Sequence, residues 1–374
     1  MSDDDDQIRE KFMKSELFPH PITILINIKS SSKLMQEAGA SARSAASDHG
    51  LRNMSLDELK NMSIDEELEA AASVTVSMHR ADADFCSIRD ALLSTLAQPP
   101  GQKCCVMVDG GRYDEGCLDL REGVCIKAMP GCEPASSRPV IICSGSLGLG
   151  GIGGPCFRSQ VDGARIEGLR IEHGGSNSAA CVEVKAGDLF MDGCVITGLA
   201  RIGVLVSGSS CPILQDCKVE HIDGDGIKVS DTAAPRVLKC EIHDNAGFGI
   251  YCSDSSAGEF ADCDIYANCN AGVKTRGTSA GIFRGNKVHS GQQGGFWIEE
   301  SSVCELFENE IFQNQKSGIQ VGGKADPKVV KNIIRDGFKG GIVVHDCACG
   351  SFLQVKVPII PLSLLIATAP IPWP

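Results

Sequence analysis

Aromatic residues make up only 5% of the 374 residues, so the interior cannot be built from packed rings and must come from many thin aliphatic layers. Positive charge is also short. The formal net charge is −13, with Asp3 to Asp6 as an acidic cluster, which makes a nucleic-acid backbone an unfavourable partner. No Cys-x-x-Cys pair occurs among the 19 cysteines. The closest groupings, Cys104-Cys105 and Cys347-Ala348-Cys349, have no His partners at zinc-finger spacing, so neither a metal site nor a cofactor is expected. Met1 to Glu10 has neither a basic n-region nor an apolar h-region, and no apolar stretch reaches the length of a bilayer span. The expectation is a cytoplasmic or nuclear chain with reduced thiols and no membrane partner.

What is abundant is glycine, 42 residues, and it recurs in register. Residues 1–84 are polar and aperiodic apart from two capping-box starts, Ser55-x-x-Glu58 and Ser63-x-x-Glu66, and read as a disordered or partly helical arm. Ile88, Ala91, Leu92 and Leu96 fall at helical spacing and predict a short amphipathic helix capping the start of a repeat region. From there to residue 357 short apolar runs alternate with turn residues.

Three features then repeat every 23 residues. A Gly opens an apolar-x-apolar strand at Gly203, Gly226, Gly249, Gly272, Gly295, Gly318 and Gly341. A Cys or Asn stands at Cys194, Cys217, Cys240, Cys263, Asn286, Asn309 and Asn332. A third apolar position recurs at Leu214, Val237, Phe260, Phe283, Leu306, Val329 and Phe352. Three strands per coil are too short and too close for crossover helices, so coils must stack strand upon strand. The fold class is therefore all-β, a single-stranded right-handed parallel β-helix with three parallel sheets and 23-residue coils spanning 85–357. Alternation points Ile227 and Val229, Ile250 and Cys252, Phe296 and Ile298, Ile319 and Val321 inward. The Cys/Asn column reads as packing at a sharp turn, with coil-to-coil bonds between asparagines. Residues 358–374, with five prolines, leave the repeat and read as a cap or a non-native end.

The runs Asn286-Lys287-Val288-His289-Ser290-Gly291, Glu308-Asn309-Glu310-Ile311-Phe312-Gln313-Asn314 and Asp336-Gly337-Phe338-Lys339-Gly340-Gly341-Ile342 resemble the β-helix of the F-box-only ubiquitin-ligase adaptors. Upstream, Ser87-Ile88-Arg89-Asp90-Ala91 and Asp109-Gly110-Gly111-Arg112-Tyr113 resemble the entry to the wider pectin-lyase-like fold. The first resemblance implies a non-catalytic substrate-recognition surface linked to protein ubiquitination, with ubiquitin-ligase components as partners. Residues 1–84 hold no segment that aligns with an F-box, so only the recognition surface carries over. The second implies, as the alternative, a carbohydrate-binding or carbohydrate-active protein of the lyase, hydrolase or epimerase kind. Fold alone does not choose between them.

Two sets of residues are candidates for a site. On the Gly-led strands the outward stripe Lys228, Tyr251, Lys274, Trp297 and Gln320, with Arg276 and Glu299 beside it, mixes rings and cations that can stack on a sugar or clasp an acidic peptide. The same side chains would also serve simply to cover neighbouring strands. For catalysis, hydrolysis of a sugar bond needs two carboxyl groups within roughly 5–9.5 Å. Glu183 and Glu299, the acids of the outward columns, are five coils apart, roughly 24 Å. The remaining acidic candidates are Asp223, Asp225 and Asp244, which as loop acids before glycines also suit turn formation.

Overall fold

The computed structural model describes residues 72–97, 102–132, 137–144, 154–175 and 180–357, together with the backbone of Thr23–Ile28 and Ile366–Ala367. Both capping-box starts, and most of the expected arm and tail, lie outside these residues.

One coil shows the construction. Arg236–Leu238 turns sharply into Glu241–His243, and a wider bend leads to Ile250–Cys252. Each strand pairs in parallel with the strand 23 residues on, placing Val237 beside Phe260, Ile242 beside Ile265 and Ile250 beside Val273. A three-residue strand cannot bury its apolar side alone, and stacking supplies the missing neighbours. Ile227, Ile250 and Val273 form one inward file, each 0% exposed. Glycine leads each of these strands because the coils approach closely there: a Cβ on Gly249 would lie 2.6 Å from Gly272 O and 2.7 Å from Ile265 Cγ2.

The Gly-led sheet has eleven described strands, from Leu118–Asp119 through Ile342–Val344 to Ile366–Ala367. The other two ladders, which we call the middle sheet (Arg236–Leu238 type) and the Asn-led sheet (Glu241–His243 type), are joined by the last strand. Gly350–Lys356 pairs with Lys328–Val330 through Ser351–Leu353 and with Ile333 through Lys356. The solenoid thus has three faces but two hydrogen-bonded sheets. At that end the backbone of Thr23–Ile28 runs antiparallel along Gly350–Lys356, and Ile366–Ala367 pairs with Ile342–Val344.

The corner between the middle and Asn-led sheets holds the Cys/Asn file, whose members are at most 1% exposed. Asn309 is representative. Its Oδ1 accepts the Asn286 N–H at 3.0 Å and the Asn286 Nδ2 at 2.9 Å, and its own Nδ2 donates to Phe283 O at 3.0 Å. In the cysteine coils the thiol takes over the last of these roles, Cys263 Sγ donating to Val237 O at 3.4 Å and Cys240 Sγ to Leu214 O at 3.6 Å. Both residue types therefore satisfy the same buried carbonyl, which is why they share one column. A second file, Asn245, Asn268 and Asn314, does the same at the bend into the Gly-led strands, with Asn245 Nδ2 donating to Asn268 Oδ1 at 2.9 Å.

The first end differs from expectation in two ways. Ala72–Val76, inside the stretch read as an arm, is a strand paired in parallel with Cys104–Val108. The helix Ile88–Ser94 forms as expected, with Ser87 as its N-cap, and buries Ile88, Ala91 and Leu92. Leu96, however, is 63% exposed. The last turn, Thr95–Ala97, is a 3-10 helix, whose tighter winding rotates Leu96 off the buried stripe. Glu115 fastens the helix to the first coil, accepting from Ser87 Oγ at 3.1 Å, Ile88 N at 2.6 Å and Arg89 N at 3.2 Å. Among the described residues no helix is long and apolar enough to cross a membrane.

The Asn file gives a graded prediction. Asn309→Ala strands the Phe283 carbonyl and the Asn286 N–H and is expected to cost about 2–4 kcal/mol, whereas Asn309→Cys restores the carbonyl bond and recovers part of that. Urea midpoints in the order wild type, Cys, Ala are the expected result; equal midpoints for Ala and Cys would show that the thiol bond contributes nothing.

Candidate functional site

The constant 23-residue coil leaves no room for an inserted loop between Gly203 and Gly341, so among the described residues the Gly-led face is open along that length. Its central column is the expected one: Lys228, Tyr251, Lys274, Trp297 and Gln320 are successive partners in adjacent strands. It continues upstream through Leu205 and Glu183, as the spacing predicts, and then through Arg158 and Asp119, which the irregular spacing before residue 180 concealed.

The stripe is less a row of free groups than a joined cluster. The Lys274 ammonium lies 3.6 Å from the Trp297 ring centroid and 5.4 Å from that of Phe248, and 3.1 Å from Glu299 Oε2. With its side chain only 13% exposed, Lys274 is clasped between two rings and a carboxylate. A partly desolvated contact of this kind is worth about 2 kcal/mol. Phe248 also tilts against Tyr251 at 5.4 Å and Trp297 at 6.2 Å. Phe248 stands outside the repeat pattern because it precedes the strand; a signal was there, since the positions 23 and 46 residues on are Ala271 and Gly294, small enough for a ring to lean over. Around this centre Lys228 Nζ sits 5.3 Å from the Tyr251 centroid, and Arg276 reaches Tyr251 Oη at 3.5 Å and Glu300 Oε1 at 2.6 Å. The Trp297 Nε1 is buried without a hydrogen-bond partner.

The acidic candidates do not form one group. Asp223 is exposed. Asp244 pairs with His243 Nδ1 at 2.7 Å, on the Asn-led side. Asp225 lies at the rim of the stripe, where its Oδ1 accepts the Phe248 N–H at 2.9 Å. Burial pushes the Asp225 carboxyl above its usual range, opposed by that hydrogen bond and by Lys228 and Lys274. Upstream, Asp119 and Glu183 stand two strands apart, about 10 Å, with Arg158 between them. Arg158 bonds both, at 3.2 Å to Asp119 Oδ1 and 3.1 Å to Glu183 Oε2, so one guanidinium engages both carboxyl groups.

Elsewhere on the solenoid the Asn-led face carries a stack that the repeat did not announce. The rings of His243, Tyr266, His289 and Phe312 lie at 4.4, 5.2 and 4.4 Å within 10° of parallel, and Arg335 covers the last at 4.2 Å. Their faces are spent on one another, leaving only edges outward. A shallow depression lies at the next bend, lined by Ile311, Asn314, Arg335, Gly337 and Gly341, where Gly337 takes the place that Asn245, Asn268 and Asn314 fill.

These features define a stacked-coil solenoid with one long open face carrying a ring and cation cluster. The chain matches the family described as right handed beta helix region over residues 151–282 and 249–358, more than half its length, and belongs to it. No curated protein matches the sequence. Among solved structures it is similar to a rhamnogalacturonan lyase (10% identity, TM-score 0.54, covering 79% of this chain and 90% of that one). It is also similar to the pectin methylesterase from Aspergillus niger (17%, 0.51, 65% and 85%) and to pectate lyase Pel9A (11%, 0.50, 78% and 78%). At these identities the likeness is one of fold. The matches give no support to a relation with F-box adaptors or to ubiquitination.

Asp225 supplies a test of the local electrostatics. A carboxyl whose folded-state proton affinity is raised costs stability above that raised value, and the cost disappears as pH falls toward the ordinary 3.8. Asp225→Asn, which keeps an acceptor for Phe248, is therefore expected to be more stable than wild type at pH 7, with the advantage shrinking on acidification. A melting-temperature difference that is independent of pH would contradict the assigned cause.

Proposed function

We propose that the Gly-led face binds an extended carbohydrate chain, and in particular a polyuronate. The observation that carries this is the Phe248, Lys274 and Trp297 sandwich, bordered by Tyr251 and Gln320, on a straight and open sheet. Side chains one strand apart recur at about 4.8 Å, so a linear polymer lying along the solenoid meets a new group at every step. Ring faces and edges suit the C–H surfaces of sugars, Gln320 suits hydroxyls, and Lys228 and Arg276 suit carboxylates. The likeness to a rhamnogalacturonan lyase, a pectin methylesterase and a pectate lyase supports the choice of ligand class.

Binding without cleavage is the reading the charges favour. Asp119, Glu183 and Glu299 are each engaged by a cation. Asp225 is the carboxyl with raised proton affinity beside the stripe, and so the one to examine for acid chemistry.

Calorimetric titration with oligogalacturonates tests this. Trp297→Ala and Tyr251→Ala are expected to weaken binding about tenfold or more, near 1.4 kcal/mol each, in proteins that remain folded at the temperature of the titration. Lys228→Ala is expected to lower both affinity and its dependence on salt. Folded wild-type protein that binds neither polygalacturonate nor neutral glucans would overturn the proposal, and turnover abolished in Asp225→Asn would replace binding by catalysis.

A further inference from the structure

Gln320 closes the ring-bearing stripe, and its Nε2 lies 3.0 Å from His345 Nε2 on the next coil. His345 Nδ1 is 2.8 Å from Asp346 Oδ2, an oxygen that also accepts the Gly323 N–H at 3.2 Å. The Gly323 N–H and then His345 hold the Asp346 carboxyl below its usual range. An ionised carboxylate can only accept, so the proton of the neutral imidazole is on Nδ1 and Nε2 is a lone-pair acceptor. The Gln320 group facing it is therefore the amide NH2, which turns Oε1 away from the ring. Glycine at 322 makes this geometry possible: a Cβ there would lie 2.4 Å from His345 Cε1 and 2.9 Å from Nε2. The His345 side chain is 32% exposed, within reach of a ligand on the stripe.

We propose that Gln320, His345 and Asp346 form a hydroxyl-reading subsite for the sugar unit next to the one on Trp297. The assignment rests on the carbohydrate reading of this face. A sugar hydroxyl donates to Gln320 Oε1, an acceptor whose orientation is fixed by the Asp346 carboxylate through the imidazole tautomer. When the imidazole gains a proton, both ring nitrogens donate, the acceptor is lost and the Gln320 amide must turn its oxygen inward. Recognition is therefore confined to the neutral form of the ring. Asp346 is on the same turn as His345, and Glu299, two coils back in the same column, is committed to Lys274 at 3.1 Å. Gln320 is neutral.

The test is oligogalacturonate affinity measured from pH 8 to pH 5 on the full-length protein. Wild type is expected to weaken about tenfold on acidification, the effect of losing one well-placed acceptor. His345→Gln, which keeps an acceptor oxygen, is expected to bind with a flat pH profile, and His345→Ala to bind about tenfold more weakly at pH 8. Asp346→Asn is expected to shift the profile without unfolding the protein. A His345→Ala variant with the wild-type profile overturns the subsite while leaving the stripe intact, provided Trp297→Ala still loses affinity. Absence of binding by wild type removes both.

Discussion

Every coil must hydrogen-bond to the coil before it and the coil after it, and at each sharp corner this leaves a buried carbonyl and a buried N–H that no strand can pair. The rest of the molecule depends on how those corner groups are satisfied. A side chain that both donates and accepts, and is short enough to fit inside the turn, solves the problem once per coil, and asparagine is that side chain. In the cysteine coils the thiol supplies the donor for the carbonyl. Buried amide ladders of this kind fix register, because a slip of even one residue would leave all of them unpaired in a medium where each lost bond costs about 1–3 kcal/mol.

Fixed register has a consequence for the outside. Because coils superimpose without drift, whatever stands outward in one coil is directly above its counterpart in the next, and surface side chains become files. Some files are plainly structural, such as the His243, Tyr266, His289 and Phe312 stack, whose faces are consumed within the file. The Gly-led file is different in kind, since its rings and cations join across neighbouring columns and its end is a polar relay. A sheet with no loop inserted between Gly203 and Gly341 offers a line rather than a pocket, which suits a polymer or extended chain better than a small molecule.

Much of this was legible in the residues themselves. Three period-23 registers carried the fold, the inward residues and the central column, because side chains in parallel stacked strands have no freedom to change sides. Other features were not. Phe248 acts from a bend, where periodicity assigns no direction to a side chain. Lys274, read as an exposed cation, is enclosed, because enclosure depends on how Phe248 and Trp297 lean. Asp119 and Arg158 sit in coils of irregular length, where no offset connects them to Glu183. Ala72–Val76 lacks the repeat entirely and is a strand only because Cys104–Val108 offers it an edge.

The sequence alone determined the architecture, the coil length, the buried files and the order of side chains along the open face, since each comes from a repeat that can be counted. Only the tertiary structure decided which of those side chains touch, which carboxylates are already neutralised, and which imidazole nitrogen is left to accept. Those outcomes depend on distances between coils and on the tilt of individual rings, and a period of 23 is silent about both.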